Sequence, residues 1–310
     1  MKKKKVLVTG GAGFIGSHLC DRLCEEDFGV YVVDNLSKGR IENLNKNVDF
    51  FKININSPKF LKLLETLRPK VIFHLAAQSS ISYSLKDPKK DFQTNLFSTH
   101  KLLEKSRQIK IGKIIFTSSA AIFGKVEKFP IAENYPKNPI SYYGISKLCS
   151  EYFFKNYFTQ YKLPYVILRL ANVYGPRQDA SGEGGVVAIF ANQIQKNRPV
   201  TIFGSGNQTR DLVYVSDVVD ALIKSMQNNV IGEFNIGTSK QTSVNKLLEM
   251  LLKIDRRNKV IDKIYKPSRF FEAEKNSLSF EKFKKVAGYH PKVDLASGLQ
   301  KTLDYFKKTI

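Results

Sequence analysis

Tryptophan is absent from this 310-residue chain, and cysteine, methionine and histidine are scarce, with 3, 3 and 4 copies. Cys20, Cys24 and Cys149 are odd in number and none forms a C-x-x-C, which argues against a disulfide framework or a zinc site. No metal ligand set is expected. Cys20 and Cys24, four apart on a predicted helix, read as small buried apolar residues. No apolar run approaches the ~18 residues that a membrane span needs. Met1 and four lysines lead straight into strand-like residues, without the apolar stretch of a signal peptide. A cytoplasmic protein is therefore expected. Acids are also short: 28 Asp and Glu face 50 Lys and Arg, a formal charge of +22. The lysines are scattered rather than gathered in a tract beyond Lys2–Lys5, and no nucleic-acid module is recognisable. The charge reads as a solvated surface that favours anionic ligands.

What is present is a core: 42% of residues are hydrophobic, enough for one large domain or two unequal ones. The first half alternates strand and helix, as in a parallel sheet covered on both faces. Strands are predicted at 4–9, 30–34, 49–53, 71–75, 113–118 and 165–170. Helices are predicted at 14–26, 57–67, 88–109 and 141–161. After Tyr174 the chain is turn-rich. It then supplies a helix at 186–197, strands at 200–203, 211–215 and 232–236, and helices at 216–227, 242–254, 280–286 and 294–308. The expected fold is α/β: a Rossmann-type doubly wound parallel sheet with a smaller, interleaved C-terminal α/β substrate lobe. Residues 1–174 and about 211–240 would form the dinucleotide domain, and about 175–210 and 241–310 the lobe.

The first strand runs into Gly10, Gly13 and Gly16. A glycine turn that enters a helix is a phosphate site, because the first amides of the helix lack internal partners and carry partial positive charge. The next strand ends at Asp34, eighteen residues after Gly16, where an acid hydrogen-bonds the adenosine ribose of NAD. Asp34 would repel the extra phosphate of NADP, although Lys38 and Arg40 stand near enough to offset that.

Tyr143-Gly144-Ile145-Ser146-Lys147 opens the helix after the fifth strand. Chance supplies about two such Tyr–Lys spacings in a chain with 14 tyrosines, yet this is the only one, and its place in a dinucleotide fold is what matters. An ammonium one turn away is expected to lower the phenol's pKa and make it a general base. The fifth strand ends in Thr117-Ser118-Ser119-Ala120-Ala121, at the sheet edge where ligands bind.

These segments, with His74–Gln78, Thr117–Gly124, Leu168–Gln178, Gly182–Phe190 and Ile202–Val218, resemble the extended short-chain dehydrogenase/reductases. Within them they are similar to the NAD-dependent epimerase/dehydratases, and most similar to the UDP-sugar 4-epimerases. The resemblance runs from Lys5 to about Val218 and is looser over 260–310. It implies NAD held along Gly10, Gly13, Phe14, Ile15, Gly16, Asp34, Asn35, Ser37, Asn54, Ile55, Leu75, Ala76, Ala77, Gln78, Asn95, Thr117, Tyr143 and Lys147. Tyr143 would be the base, Lys147 would hold the nicotinamide ribose, and Ser119 would bridge sugar and tyrosine. Ser79 and Asn172 would meet the substrate. Arg210 and Arg269 would clamp its pyrophosphate, and the backbone of Val186 and Val187, with Thr201 and Phe203, would cradle the uracil.

Several positions depart from the family pattern. Asn54 replaces an aspartate, Ser98 a glycine, and Glu272 stands where an aspartate usually holds the ribose. Asn276 stands where epimerases limited to plain hexoses have a tyrosine, which leaves room for a 2-acetamido group. Ala120-Ala121 replaces the Asp-Glu of 4,6-dehydratases, and elimination needs such an acid. The implied reaction is 4-epimerisation of UDP-glucose and UDP-galactose, and of the 2-acetamido pair, through a 4-keto sugar. A dehydratase, a reductase, a uronate epimerase or a non-catalytic NAD-binding protein are the competing readings. A homodimer through the 88–109 and 141–161 helices is expected.

Overall fold

The computed structural model describes residues 3–181, 184–256, 261–269 and 273–309. Seven strands form the central sheet: β1 (Lys5–Thr9), β2 (Gly29–Asp34), β3 (Asp49–Lys52), β4 (Val71–His74), β5 (Lys113–Ser119), β6 (Tyr165–Leu170) and β7 (Gly232–Ile236). Their order is β3-β2-β1-β4-β5-β6-β7, and every pair is parallel. This is the Rossmann arrangement. The sheet grows one way from β1 and the other way from β4, so a crevice opens outside the carboxyl ends of those two strands.

Alternation sets the two faces. Val6 and Val8 pack with Leu19, Leu23 and Val218, whereas Leu7 packs on the opposite side with Phe60, Leu64, Leu102 and Phe154. The first layer is α1 (Phe14–Glu25) and α5 (Val215–Lys224). The second is α2 (Pro58–Leu67), α3 (Ser98–Gln108) and α4 (Tyr142–Tyr161). Both faces are covered, so β4 and β6 are buried along their whole length. Ser141 starts α4 with its hydroxyl accepting the Gly144 N–H at 3.1 Å.

The helix expected over 88–109 is interrupted. A short helix at Pro88–Asp91 passes into a π-helical turn at Phe92–Phe97 before α3 begins. A π turn adds a residue to the hydrogen-bonded ring, which apolar periodicity does not register. Cys20 is buried as expected, whereas Cys24 is only half-buried.

A separate apolar cluster lies among the helices Val186–Gln195, Val244–Asp255 and Leu295–Lys308, with Phe190, Ile202, Leu251 and Leu303 at its centre. Three two-stranded ribbons accompany it. Asn172–Tyr174 pairs with Leu212–Tyr214, Thr209–Arg210 with Thr242–Ser243, and Val200–Phe203 with Lys263–Lys266. The first continues directly from β6, which carries Asn172 past the edge of the sheet. Among the described residues no helix is long and apolar enough to cross a membrane.

Candidate active site

Gly10 has φ +73°, and a Cβ on it would stand 2.7 Å from the Ala76 nitrogen. At Gly16 a Cβ would come to 2.2 Å from the Gly10 carbonyl oxygen. Side chains at either place would push the loop off the end of β4 or off α1. Gly13 caps α1 without a side-chain acceptor, and the first turn of α1 has no acid, so this terminus suits a diphosphate. Phe14 and Ile15 follow, half-buried.

Asp34 ends β2 and is 8% exposed. Its Oδ2 accepts the Ala12 N–H at 3.1 Å and its Oδ1 the Leu36 N–H at 2.8 Å. Burial pushes its pKa up, against the pull of those backbone donors. The carboxylate thus ties the glycine loop to the turn after β2. In that turn Asn35 and Ser37 are exposed, and Lys38 lies 3.9 Å from Asp179. Asn54 is exposed above the buried Ile55, with its Oδ1 accepting the Asn56 N–H at 2.9 Å.

The end of β4 is held by a hydrogen-bond chain that sequence reasoning missed. The Ala76 N–H reaches Thr9 Oγ1 at 3.3 Å, Thr9 Oγ1 lies 2.8 Å from His74 Nδ1, and His74 Nε2 lies 3.0 Å from Thr99 Oγ1. Thr99 donates to the Asn95 carbonyl. Burial, helped by the Lys147 charge, pushes the His74 pKa down to about 3. The ring is neutral and has one N–H. Since Thr99 spends its proton on Asn95, that N–H is at Nε2, and Nδ1 accepts from Thr9.

Leu75, Ala76, Ala77 and Gln78 continue half-buried from β4, and Ser79 is exposed. Asn95 comes from the π turn and reads the backbone of Gln78 on both sides. Its Oδ1 accepts the Gln78 N–H at 2.8 Å and its Nδ2 donates to the Gln78 carbonyl at 2.9 Å. Gln78 Nε2 and Asn95 Nδ2 converge on Asp91, which is 1% exposed. Asp91 and Asn95 are one helical turn apart, a spacing that could have revealed the pair. The lysine run around Asp91 instead reads as a solvated surface.

The residues at the end of β5 and the start of α4 come together. Lys147 Nζ donates to the Thr117 carbonyl at 2.9 Å and lies 5.9 Å from the centre of the Tyr143 ring. The Ser119 hydroxyl faces the Tyr143 phenol and accepts the Ala121 N–H at 3.2 Å. One expectation fails here. Burial pushes the Tyr143 phenol up to about 12, with only the Ser119 hydrogen bond pulling it down. Lys147 does not lower it: the ammonium is turned to a carbonyl, and burial takes its own pKa down to about 8. Desolvation has outweighed the attraction expected from spacing alone.

Behind this pair lies a buried ion pair, also unforeseen. Arg169 on β6 contacts Glu151 of α4 at 2.7 Å, and Ser118 donates to the same carboxylate at 2.7 Å.

On the lobe side, the Arg269 guanidinium lies 3.8 Å from the Phe203 ring centre, a cation–π stack. Arg210 donates to the carbonyls of Thr209 at 2.9 Å and Ala273 at 3.0 Å. Arg210 therefore reaches the tail at Ala273, four residues after Arg269. Thr201 and Asn172 are half-buried, and Val186 begins its helix. Val187 turns its side chain into the lobe core, which leaves its backbone for any ligand contact. Asn276 is half-buried, and its Oδ1 has no hydrogen-bond partner among the described residues. Glu272 lies outside the described residues.

Comparison with known proteins agrees with this architecture. The pattern of the NAD dependent epimerase/dehydratase family matches residues 6–237. A curated protein of Methanocaldococcus jannaschii, a putative UDP-glucose 4-epimerase, is 39% identical over 306 residues, covering 97% of this chain and 98% of its own. The crystal structure of the Thermotoga maritima UDP-glucose 4-epimerase with UDP-glucose superposes with a TM-score of 0.94 at 45% identity, covering 98% of this chain and 99% of that one. A UDP-N-acetylglucosamine 4-epimerase of Methanobrevibacter ruminantium superposes equally well, with a TM-score of 0.94 at 32% identity and full coverage of both chains. The chain thus belongs to the NAD-dependent epimerase/dehydratase family of short-chain dehydrogenase/reductases, with NAD as its cofactor.

Proposed function

We propose that the protein is a UDP-sugar 4-epimerase that interconverts UDP-glucose and UDP-galactose and also accepts the 2-acetamido pair. The observation that carries this reading is the Ser119–Tyr143–Lys147 cluster at the end of β5, followed by Ala120 and Ala121 in place of acids. Bound NAD supplies a reversible hydride acceptor for sugar C4. Tyr143 takes the O4 proton and returns it, Ser119 bridges the sugar hydroxyl and the phenol, and Lys147 holds the nicotinamide ribose. The glycine loop and the α1 terminus hold the diphosphate of the cofactor, and Asp34 its adenosine ribose. Arg210 and Arg269 face the pyrophosphate of the substrate, with Asn172 beside it. The ribbon that bears Thr201 and Phe203 takes the uracil. Asn276, smaller than tyrosine and with an amide oxygen without a protein partner among the described residues, supports acceptance of an N-acetyl group. Residues 1–174 with 211–240 act as the cofactor domain, and 175–210 with 241–310 as the substrate lobe.

Proton NMR of reaction mixtures tests this directly. UDP-glucose and UDP-N-acetylglucosamine should each yield the galacto epimer without added reductant, and UDP-glucuronic acid should yield none. A 4-keto-6-deoxy product, or no product from any of the three, would refute the reading.

Exposed apolar side chains on the π turn and α4 support a homodimer. Phe92, Phe97, Tyr142, Tyr152 and Ile145 are each more than 40% exposed, and Phe153 lies beside them. Such a patch on a helix pair suits a second copy of the same surface. Sedimentation should show a dimer, and Tyr152→Glu should weaken it at least tenfold in dissociation constant (an aromatic anchor is worth ~2 kcal/mol). A wild-type monomer at high concentration would exclude this interface.

A further inference from the structure

Asp91 is buried at the end of the helix Pro88–Asp91, one turn before Asn95. Its Oδ1 accepts Gln78 Nε2 at 2.9 Å and Asn95 Nδ2 at 3.0 Å, and Ser146, whose hydroxyl donates to the Tyr143 carbonyl at 3.0 Å, stands beside the carboxylate. Those donors would be satisfied equally by a neutral amide oxygen, so hydrogen bonding alone does not require an acid here. The charges around Lys147 supply a reason for one. Lys147 is 2% exposed and donates to the Thr117 carbonyl. From its own helix it meets Tyr143 one turn before and Glu151 one turn after. Glu151 is already paired by Arg169 of β6 at 2.7 Å. From β4 it meets His74, which is neutral. The remaining carboxylate on that side is Asp91, which reaches α4 through Asn95: Asn95 Nδ2 lies 3.0 Å from Asp91 Oδ1 and 3.3 Å from the hydroxyl of Ser146, the residue before Lys147.

We propose that Asp91 is a positioning residue: its carboxylate fastens Asn95 and Gln78 on the cofactor side and serves as the counter-charge that keeps the buried Lys147 protonated. The inference rests on the reading of Tyr143 and Lys147 as the working pair. Asp91 raises the proton affinity of both. Removing its charge therefore lowers both, and the sign is the same whichever of the two groups limits the rate.

The test is Asp91→Asn, which retains an oxygen for the two amides and removes only the charge. In the wild type, an NMR titration of the Lys147 Nζ, identified by the signal that Lys147→Arg removes, should show a midpoint of about 8. In the variant this midpoint should fall by about one pH unit. The whole pH profile of kcat/KM should move toward acid with it. Ser146→Ala, which removes one hydroxyl and no charge, should leave the Lys147 midpoint at the wild-type value. An unchanged midpoint in Asp91→Asn, with activity lowered evenly at all pH values, would assign Asp91 to scaffolding and overturn the proposal. If Asp91→Asn does not fold, Asp91→Ser takes its place. Failure of both to fold would overturn the proposal in the same way. A wild type without epimerase activity would refute the functional reading, and the Nζ titration would still decide the role of Asp91.

Discussion

Tyr143→Phe is expected to lower kcat by about 10²- to 10⁴-fold, the usual worth of a positioned acid–base group, while the protein stays folded and retains NAD. The side chain is 9% exposed and packed at the start of α4, so phenylalanine fills the same space. The Ser119 hydroxyl loses one contact but still accepts the Ala121 N–H. What disappears is the phenolic oxygen proposed to take and return the O4 proton. Tyr143 is hard to ionise, with burial holding it at about 12. On the proposed mechanism the cost of forming phenolate is part of the barrier, and the positive charge of Lys147 helps only where it survives burial. Steady-state assay, with NAD content measured on the denatured protein, checks this. Activity within about threefold of wild type would mean that another group moves the proton.

Arg169→Leu is expected to cost about 3–5 kcal/mol of stability, the penalty for leaving one member of a buried ion pair without its partner. Both members are almost fully inaccessible, at 0% and 1%. Arg169 makes two further bonds to Glu151 through Nε, at 3.0 and 3.2 Å, and one to the Glu133 carbonyl at 3.0 Å. Leucine satisfies none of these. Adding Glu151→Leu should recover a large part of the loss, because an apolar pair removes the stranded charge. Urea unfolding of the single and double variants measures both effects. A single-variant loss below about 1 kcal/mol would show that water reaches Glu151.

The parts of the site visible in the sequence are those written in neighbouring residues. A glycine that must adopt positive φ, as Gly10 does, leaves its mark in the identity of one residue. The ends of β1, β2 and β5 were placed within one residue because their apolar runs stop where the chain leaves the sheet. Asp34 and the Tyr143–Lys147 spacing were legible for the same reason. The helix at 88–109 was not, since the π turn changes the hydrogen-bond register without changing the apolar pattern. Asp91 was hidden by its lysine neighbours, which turn to water while it turns inward. Arg169 and Glu151 were hidden because nothing near either residue in the chain announces the other.

The amino-acid order alone determined a parallel α/β sheet, a dinucleotide loop at its first turn, and a tyrosine and lysine on one face of a helix. Each follows from periodicity or from steric demands within a few residues. Only the tertiary structure decided how those groups are charged. Folding buries Tyr143 and Lys147 together, neutralises His74, matches Glu151 to Arg169, and buries Asp91 against Gln78 and Asn95. The energy of a charge depends on the solvent it loses and the charges it meets, and both are properties of residues far apart in the chain.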